Sequence, residues 1–395
     1  MELNFLHTFV ITFVQSYKSC VALIYSGAKF FSPDGDVLWC HLPEELILEI
    51  LLRLPVRSLH QFKCICKSWN TLISNPQFIK RHLQISKAKP SLTNQRLFFS
   101  FFNEPHKLFY YPLKPLFENQ SPPVSFSHVK EPEYNVIGSC NGLLCLHDRF
   151  QNSVRLWNPS IMLKSKKSPR ALNLVSKHSG FGYDQVNDKY KVLFVMQNLN
   201  DPSHIFTKIY TFGDDSWKTI QNFHHTPIRP LRLPGKFVSG TLNWIVKKRD
   251  VSSNQSAILS FDLENETYKE MVLPRDDGDD EVHGHLLYVL NNCLGVCHVS
   301  NKTSWVAWMM KEYGVVESWT KLMSISYDMF NKQPYLPMYI SENDVVLLMN
   351  KHTTQLVLYN LNSGQLINSL YDTLESNDTF RINPHICCES LVSVP

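Results

Sequence analysis

Hydrophobic and polar positions along this chain follow two different periods, and the change falls near residue 96. Between Leu42 and Leu72, in the stretch LPEELILEILLRLPVRSLHQFKCICKSWNTL, the period is helical. Leu42, Leu46 and Ile50 recur with a spacing of four, and Ile47, Leu51 and Leu54 form a parallel stripe, so a first helix is apolar over more than half its girth. Pro55 ends that helix and the Arg57-Ser58 pair starts a second. The second carries Leu59, Phe62, Ile65, Cys66, Trp69, Leu72 and Ile73 before Asn75-Pro76 stops it. A unit of about 40 residues is too small to bury so much apolar surface by itself, so the pattern asks for a partner.

From residue 96 onward short apolar strands and turn signals replace the helical period. One signature is an apolar strand with an aromatic residue near its end: FYYPL, RLWNP, KIYTF, LSFDL, VAWMM and VLYNL, marked by Tyr111, Trp157, Tyr210, Phe261, Trp308 and Tyr359. A second signature precedes each of the last five: LLCL, YKVLFV, LNWIV, CLGVCHV and VVLLM. Both recur at a period of about fifty residues, the length of a kelch-type propeller blade. Each copy holds four strands, with Asn343-Asp344 and Ser363-Gly364 at tight turns of the last one. The first copy lacks a leading strand, and the chain ends in a lone apolar strand, 389 to 394. Pairing that strand with residues 97 to 102 would complete the first blade and remove two sheet edges. The fold expected is therefore a small all-α segment followed by an all-β domain, a six-bladed kelch-like β-propeller closed by the C-terminal strand, with seven blades as the alternative.

The helical segment resembles the F-box, whose pattern is a Leu-Pro opening, a Leu-Pro at the end of the first helix and a Cys-Lys-x-Trp in the second. Here these are Leu42-Pro43, Leu54-Pro55 and Cys66-Lys67-Ser68-Trp69, in order and at the usual spacing. The repeats lack the paired glycines of kelch and are similar instead to the F-box-associated domain of plant F-box proteins, on the stretches GSCNGLLCL, VRLWNPS, GFGYD and FVSGTLNWI. The resemblance implies an F-box at 39–84, a linker at 85–95 and a propeller at 96–395. It also implies docking on the Skp-type adaptor, and through it on the cullin, of a ubiquitin ligase. The adaptor contacts it implies are Leu42, Pro43, Leu46, Ile50, Leu54, Pro55, Leu59, Cys66, Lys67 and Trp69. An aromatic anchor, an aliphatic strip and a cation at the edge also make physical sense as a binding hot spot.

Composition narrows the rest. The chain has 395 residues, 44% hydrophobic and 19% charged, with a formal net charge of +4. This is an ordinary globular balance. The charge is dispersed except for Lys164, Lys166, Lys167 and Arg170, read as a solvated loop, so nucleic acid is not an expected partner. The ten cysteines show neither paired Cys-x-x-Cys zinc spacing nor a staple framework, and fit a reducing compartment, cytoplasmic or nuclear. No cofactor or metal is expected: the acidic run at 276–281 lacks the ligand alternation of a calcium loop, and the run from Cys293 to His298 is too long for haem attachment. Residues 1–38 contain apolar runs, but Glu2 stands where a signal peptide needs a basic region and neither run reaches a membrane span, so they read as a disordered or nonessential extension, with no membrane expected as a partner.

Strand order also assigns loops to faces. In a four-stranded meander the first-to-second and third-to-fourth turns share one face, and the remaining connections share the other. The short turns fall on the first face, while the long segments 198–204, 222–236, 248–256, 274–285 and 325–337 fall on the second. That second face is the expected site for a protein substrate, with His225, Arg229, Arg232, Asp277, Asp280, Tyr327 and Tyr335 as candidates. The alternative is a kelch-like propeller enzyme or carbohydrate-binding protein. It would need a converging ligand set or a nucleophile, base and orienter, and the sequence displays none.

Overall fold

A computed structural model describes residues 44–88, 90–101, 107–118, 127–130, 134–148, 150–171, 175–197, 205–220, 234–247, 256–275, 282–330, 332–350, 355–370 and 382–395. The chain divides into two compact units, 1–89 and 90–395.

The first unit is helical: α1 (Glu44–Leu51), α2 (Val56–Phe62), α3 (Lys67–Ser74) and α4 (Pro76–Ala88). The expected single second helix is in fact two. The N–H groups of Cys64 and Ile65 donate to Gln61 and Phe62 in tight three-residue steps, and Cys66 is then extended, with φ −154° and ψ 164°. The ladder therefore restarts at Lys67. Pro76 does not end the helical region; it opens α4, where a missing N–H costs nothing, and Asn75 Oδ1 accepts from Gln77 N at 2.8 Å. α4 continues to Ala88, into the stretch expected as linker.

The second unit is six four-stranded antiparallel sheets, the blades of a propeller. Blade 2 is built from Tyr134–Cys140, Leu143–Asp148, Ser153–Asn158 and Leu163–Lys164. Blade 3 follows with Val175–Asp184, Lys189–Gln197, Ile205–Thr211 and Lys218–Ile220. Blade 4 uses Lys236–Val238, Thr241–Lys247, Ser256–Asp262 and Tyr268–Met271. Blade 5 runs through Val282–Leu290, Cys293–Ser300, Ser304–Met310 and Trp319–Ser326. Blade 6 has Tyr335–Ile340, Val345–Asn350, Leu356–Asn360 and Gln365–Leu370. Every aromatic marker read from the sequence lies on a third strand.

Blade 1 is shared by the two ends of this unit. Gln95–Phe101, Lys107–Pro112 and Ser127–Lys130 supply its outer three strands, and Ile382–Cys388 supplies the first. Leu97 pairs with Ile386 and Phe101 with Ile382. The ring is closed as expected, but not by residues 389 to 394. The closing strand contains Pro384, but the first strand is the edge of its sheet and tolerates a missing N–H. The tail beyond it has its backbone groups taken by side chains. Asn158 Nδ2 donates to Ser390 O at 3.0 Å and Val392 O at 2.8 Å, and Ser390 N donates to Ser160 Oγ at 3.2 Å.

The core lies between blades. Six buried clusters occupy the six interfaces, for example Phe98, Leu144 and Trp157 between blades 1 and 2, and Tyr111, Leu347 and Leu358 between blades 6 and 1. First strands of neighbouring blades touch all the way round. A glycine permits one of the closest approaches: a Cβ on Gly182 would lie 2.3 Å from the Phe237 ring of blade 4. Polar clasps join the same pair of blades. Buried Lys191 Nζ is 2.9 Å from Asp184 Oδ2 and donates to Leu263 O at 2.6 Å. Burial pushes the Asp184 carboxyl up, but the Asn187 amide and the Lys191 ammonium together hold it below its ordinary value.

The basic knot of blade 2 is a loop with Lys166, Lys167 and Arg170 exposed, as expected, but its serines have a role the sequence did not suggest. After the two-residue fourth strand, Ser165 N and Ser168 N donate to Leu156 O and Val154 O, while Ser165 Oγ and Ser168 Oγ accept from Leu156 N and Val154 N. Both serines are buried. The segment seals the outer edge of the sheet with hydroxyls where a strand would use carbonyls. Lys164 and Lys167 lie over the rings of Trp157 and Tyr134.

Candidate functional site

The helical unit builds one candidate surface. Its interior is Ile50, Leu51, Leu52, Leu54, Val56, Leu59, Phe62, Ile73 and Phe78, all buried. Pro55, with φ −59° and ψ 148°, stands at the N-terminus of α2 and aims that helix away from α1. Buried His82 of α4 holds Leu54 O through Nε2 at 2.9 Å, fixing the turn between α1 and α2. Glu49 bonds Arg53 at 2.6 Å and also Arg81; the Arg53 hydrogen bond leads in holding its carboxyl low.

Around that interior the sequence-derived contacts separate into classes. Leu46 is 50% exposed, and Cys66 and Lys67 are exposed. Pro55 and Trp69 are half-buried, with the Trp69 ring 5.5 Å from Phe62. Ile50, Leu54 and Leu59 are consumed by the interior, Leu59 completely. Leu42 and Pro43 lie outside the described residues. Ile47, Ile65 and Leu72 are also half-buried, so apolar surface is left open on α1, on α3 and at the turn between α2 and α3.

The propeller offers the second surface. Its strand order puts the inter-blade links and the second-to-third loops on one face. Of the candidates there, His225, Arg229, Arg232, Asp277 and Asp280 lie outside the described residues. Tyr327 is half-buried at the start of a short 3-10 segment, Tyr327–Phe330. Tyr335 is 3% exposed, packed in the interface of blades 5 and 6, with its hydroxyl on Gln355 Oε1 at 2.5 Å. Its side chain serves the core. The opposite face carries elaborations the sequence did not suggest, the larger of those described in blade 1. The link between the third and fourth strands of blade 1 carries a helix, Leu113–Glu118, whose Leu113 and Leu116 are fully buried.

Residues whose roles were not read from the sequence meet where the ring closes. In GSCNG, Ser139 Oγ donates to Ile386 O at 2.8 Å, Asn141 Nδ2 donates to Tyr190 Oη at 3.1 Å, and Gly142 has φ +77°. A Cβ there would lie 2.3 Å from Ser390 Oγ. With Asn158 and Ser160 of WNPS, these stretches form a clamp on the C-terminal segment. In the sequence these stretches serve only as family markers, not as a clamp. Among the described residues no group of three or more His, Cys, Asp or Glu is arranged to hold a metal, and no helix is long and apolar enough to cross a membrane.

A small helical unit with an open apolar strip, followed in the chain by a six-bladed propeller, defines a two-part architectural class. Comparison with known proteins gives the family. Residues 39–81 match the F-box domain and residues 106–394 match the F-box associated beta propeller domain, so the chain belongs to the F-box proteins that carry this propeller. An F-box/kelch-repeat protein of Arabidopsis thaliana is 33% identical over 356 residues, covering 85% of this chain and 91% of the relative. The F-box protein CPR1 of the same plant is 26% identical, covering 82% and 83%. A chain of the nidogen/laminin complex is 11% identical, covering 75% of this chain and 99% of its own, with a TM-score of 0.44.

Proposed function

We propose that the chain is the substrate-recognition subunit of a Skp-cullin-F-box ubiquitin ligase, acting in the cytoplasm or nucleus and without catalytic chemistry of its own. The observation that carries this is the presence in one chain of an F-box, its apolar strip still partly open, and a propeller whose segments 198–204, 222–236, 248–256, 274–285 and 325–337 all leave from strand ends on one face. The F-box binds the Skp-type adaptor through Leu46, Cys66, Lys67 and Trp69, with Leu42 and Pro43. The loop face, with His225, Arg229, Arg232, Asp277, Asp280 and Tyr327, holds a target protein. The ligase then raises the effective concentration of ubiquitin-loaded enzyme at that target. All described cysteines are free, in keeping with a reducing compartment.

Adaptor capture by purified variants tests the reading. Trp69→Ala and Leu46→Glu each remove or spoil an anchor, and a loss of about 2 kcal/mol, roughly thirtyfold in affinity, is expected. Helical content of each variant, compared with Leu59→Ala as an interior control, separates docking from folding. Undiminished capture by both folded variants overturns the assignment. Exchange of residues 222–236 and 274–285 for Gly-Ser linkers should leave capture intact and abolish ubiquitination of a bound target.

A further inference from the structure

Cys64 and Cys66 stand apart from the other described cysteines. Both are exposed, whereas Cys140, Cys145, Cys297 and Cys387 are buried, and Cys293 and Cys388 half-buried. Burial pushes the Cys145 and Cys387 thiols well up, which keeps them inert. The exposed pair occupies the break between α2 and α3. Cys66 is the extended residue just before α3, its Sγ 3.1 Å from Ser68 Oγ, and no side chain caps that helix.

The charge around the pair is one-sided. The run Lys63-Cys64-Ile65-Cys66-Lys67 places a lysine on each outer side, and no Asp or Glu occurs from residue 50 through residue 103. The nearest upstream acid, Glu49, is already bonded to Arg53 and Arg81. An anionic reagent is drawn to such a site, and thiol exchange depends on access to the attacking sulfur.

We propose that Cys64 and Cys66 are a modification site for glutathione, and that attachment there excludes the adaptor. A cysteine thiolate attacks one sulfur of glutathione disulfide. The protein–glutathione S–S bond forms, the S–S bond of the reagent breaks, and a glutathione thiolate leaves. The cysteine sulfur is oxidised, the departing half is reduced, and the thiol proton passes to solvent. Glutathione disulfide carries net negative charge, which suits the flanking lysines. The consequence for docking rests on the F-box reading above, because Cys66 and Lys67 belong to the proposed contact set and a tripeptide there occupies their place.

The test treats the reduced full-length chain with glutathione disulfide under native conditions and maps the adducts by mass spectrometry. In a Cys20→Ser/Cys40→Ser chain, adducts should fall on Cys64 and Cys66 and vanish when Cys64→Ser/Cys66→Ser is added. Lys63→Gln/Lys67→Gln should slow the reaction several-fold with glutathione disulfide but not with neutral hydroxyethyl disulfide. Adducts on buried cysteines at equal rate, or equal slowing with both reagents, overturn the site. Adaptor capture is measured separately on the wild-type chain, where it should be lost on modification and restored by dithiothreitol. Full capture by a stoichiometrically modified chain overturns the exclusion. Failure of the unmodified chain to capture adaptor counts instead against the ligase reading and leaves the adduct map to decide the site.

Discussion

Two histidines sit where a proton is costly. Burial holds the imidazole of His82 below its ordinary value, against the Leu54 carbonyl that favours the charged form, and its Nδ1 has no hydrogen-bond partner. His385, in the closing strand, is pushed down to about 3 by burial first and by the nearby Lys236 charge second, and its Nε2 likewise lacks a partner. Both are neutral when folded, while in the unfolded chain they protonate near pH 6.5. Their contribution is therefore complete above pH 6.5 and is lost as pH falls from there, toward about 3 for His385. Each should cost on the order of 1 kcal/mol per pH unit within its window. Thermal melting across this range should show a steady decline that His385→Gln flattens in part. A melting temperature independent of pH between 6.5 and 4 would exclude this account.

Elements show where backbone geometry overrides side-chain pattern. The hydroxyls of Ser165 and Ser168 each fill a buried acceptor position, so Ser165→Ala and Ser168→Ala should each strand a strand N–H at a cost of about 1–3 kcal/mol. Urea unfolding of the two single variants and the double would measure it, and an unshifted midpoint for the double variant would refute the edge seal. In the sequence this segment reads only as charge, because its bonding residues are three apart where a strand's are two apart. The helix break at Cys66 was hidden for a related reason: the apolar spacing from Leu59 to Ile73 continues through it. By contrast the third-strand aromatics were legible, since blade interfaces need a large side chain at each repeat. Tyr111, Trp157, Tyr210, Phe261 and Tyr359 all fall in interface clusters. Of the candidate site, the sequence could name residues on the helical unit but could not sort the exposed from the enclosed. Leu46 and Leu59 look alike in a pattern and are 50% and 0% exposed in the fold.

For the propeller as a whole, stability depends on joining its two ends. Removing residues 389–395 takes away the Glu389 ion pair with Arg96, buried Leu391 and the segment clamped by Asn158, but leaves the closing strand. Removing 382–395 takes the strand as well. With a net stability of about 5–15 kcal/mol for a typical domain, the longer deletion should prevent cooperative melting and the shorter should only lower the melting temperature. Equal melting of both truncations and the full chain would overturn this. The closure itself was legible, because an incomplete first copy and a surplus strand demand each other; its exact residues were not, because 389–394 has the more evenly apolar pattern while the strand that pairs, Ile382–Cys388, carries Asn383, Pro384 and His385. Synthesis proceeds from the N-terminus, so the outer strands of blade 1 emerge long before the strand that completes them. Blades 2 to 6 are made while that first sheet still waits, its edge open, until Ile382–Cys388 arrives to pair with Gln95–Phe101. A chain cut between the last strand of blade 6 and Ile382 thus keeps a complete F-box but an unfinished propeller, so closure of the ring reports that synthesis has passed through Cys388.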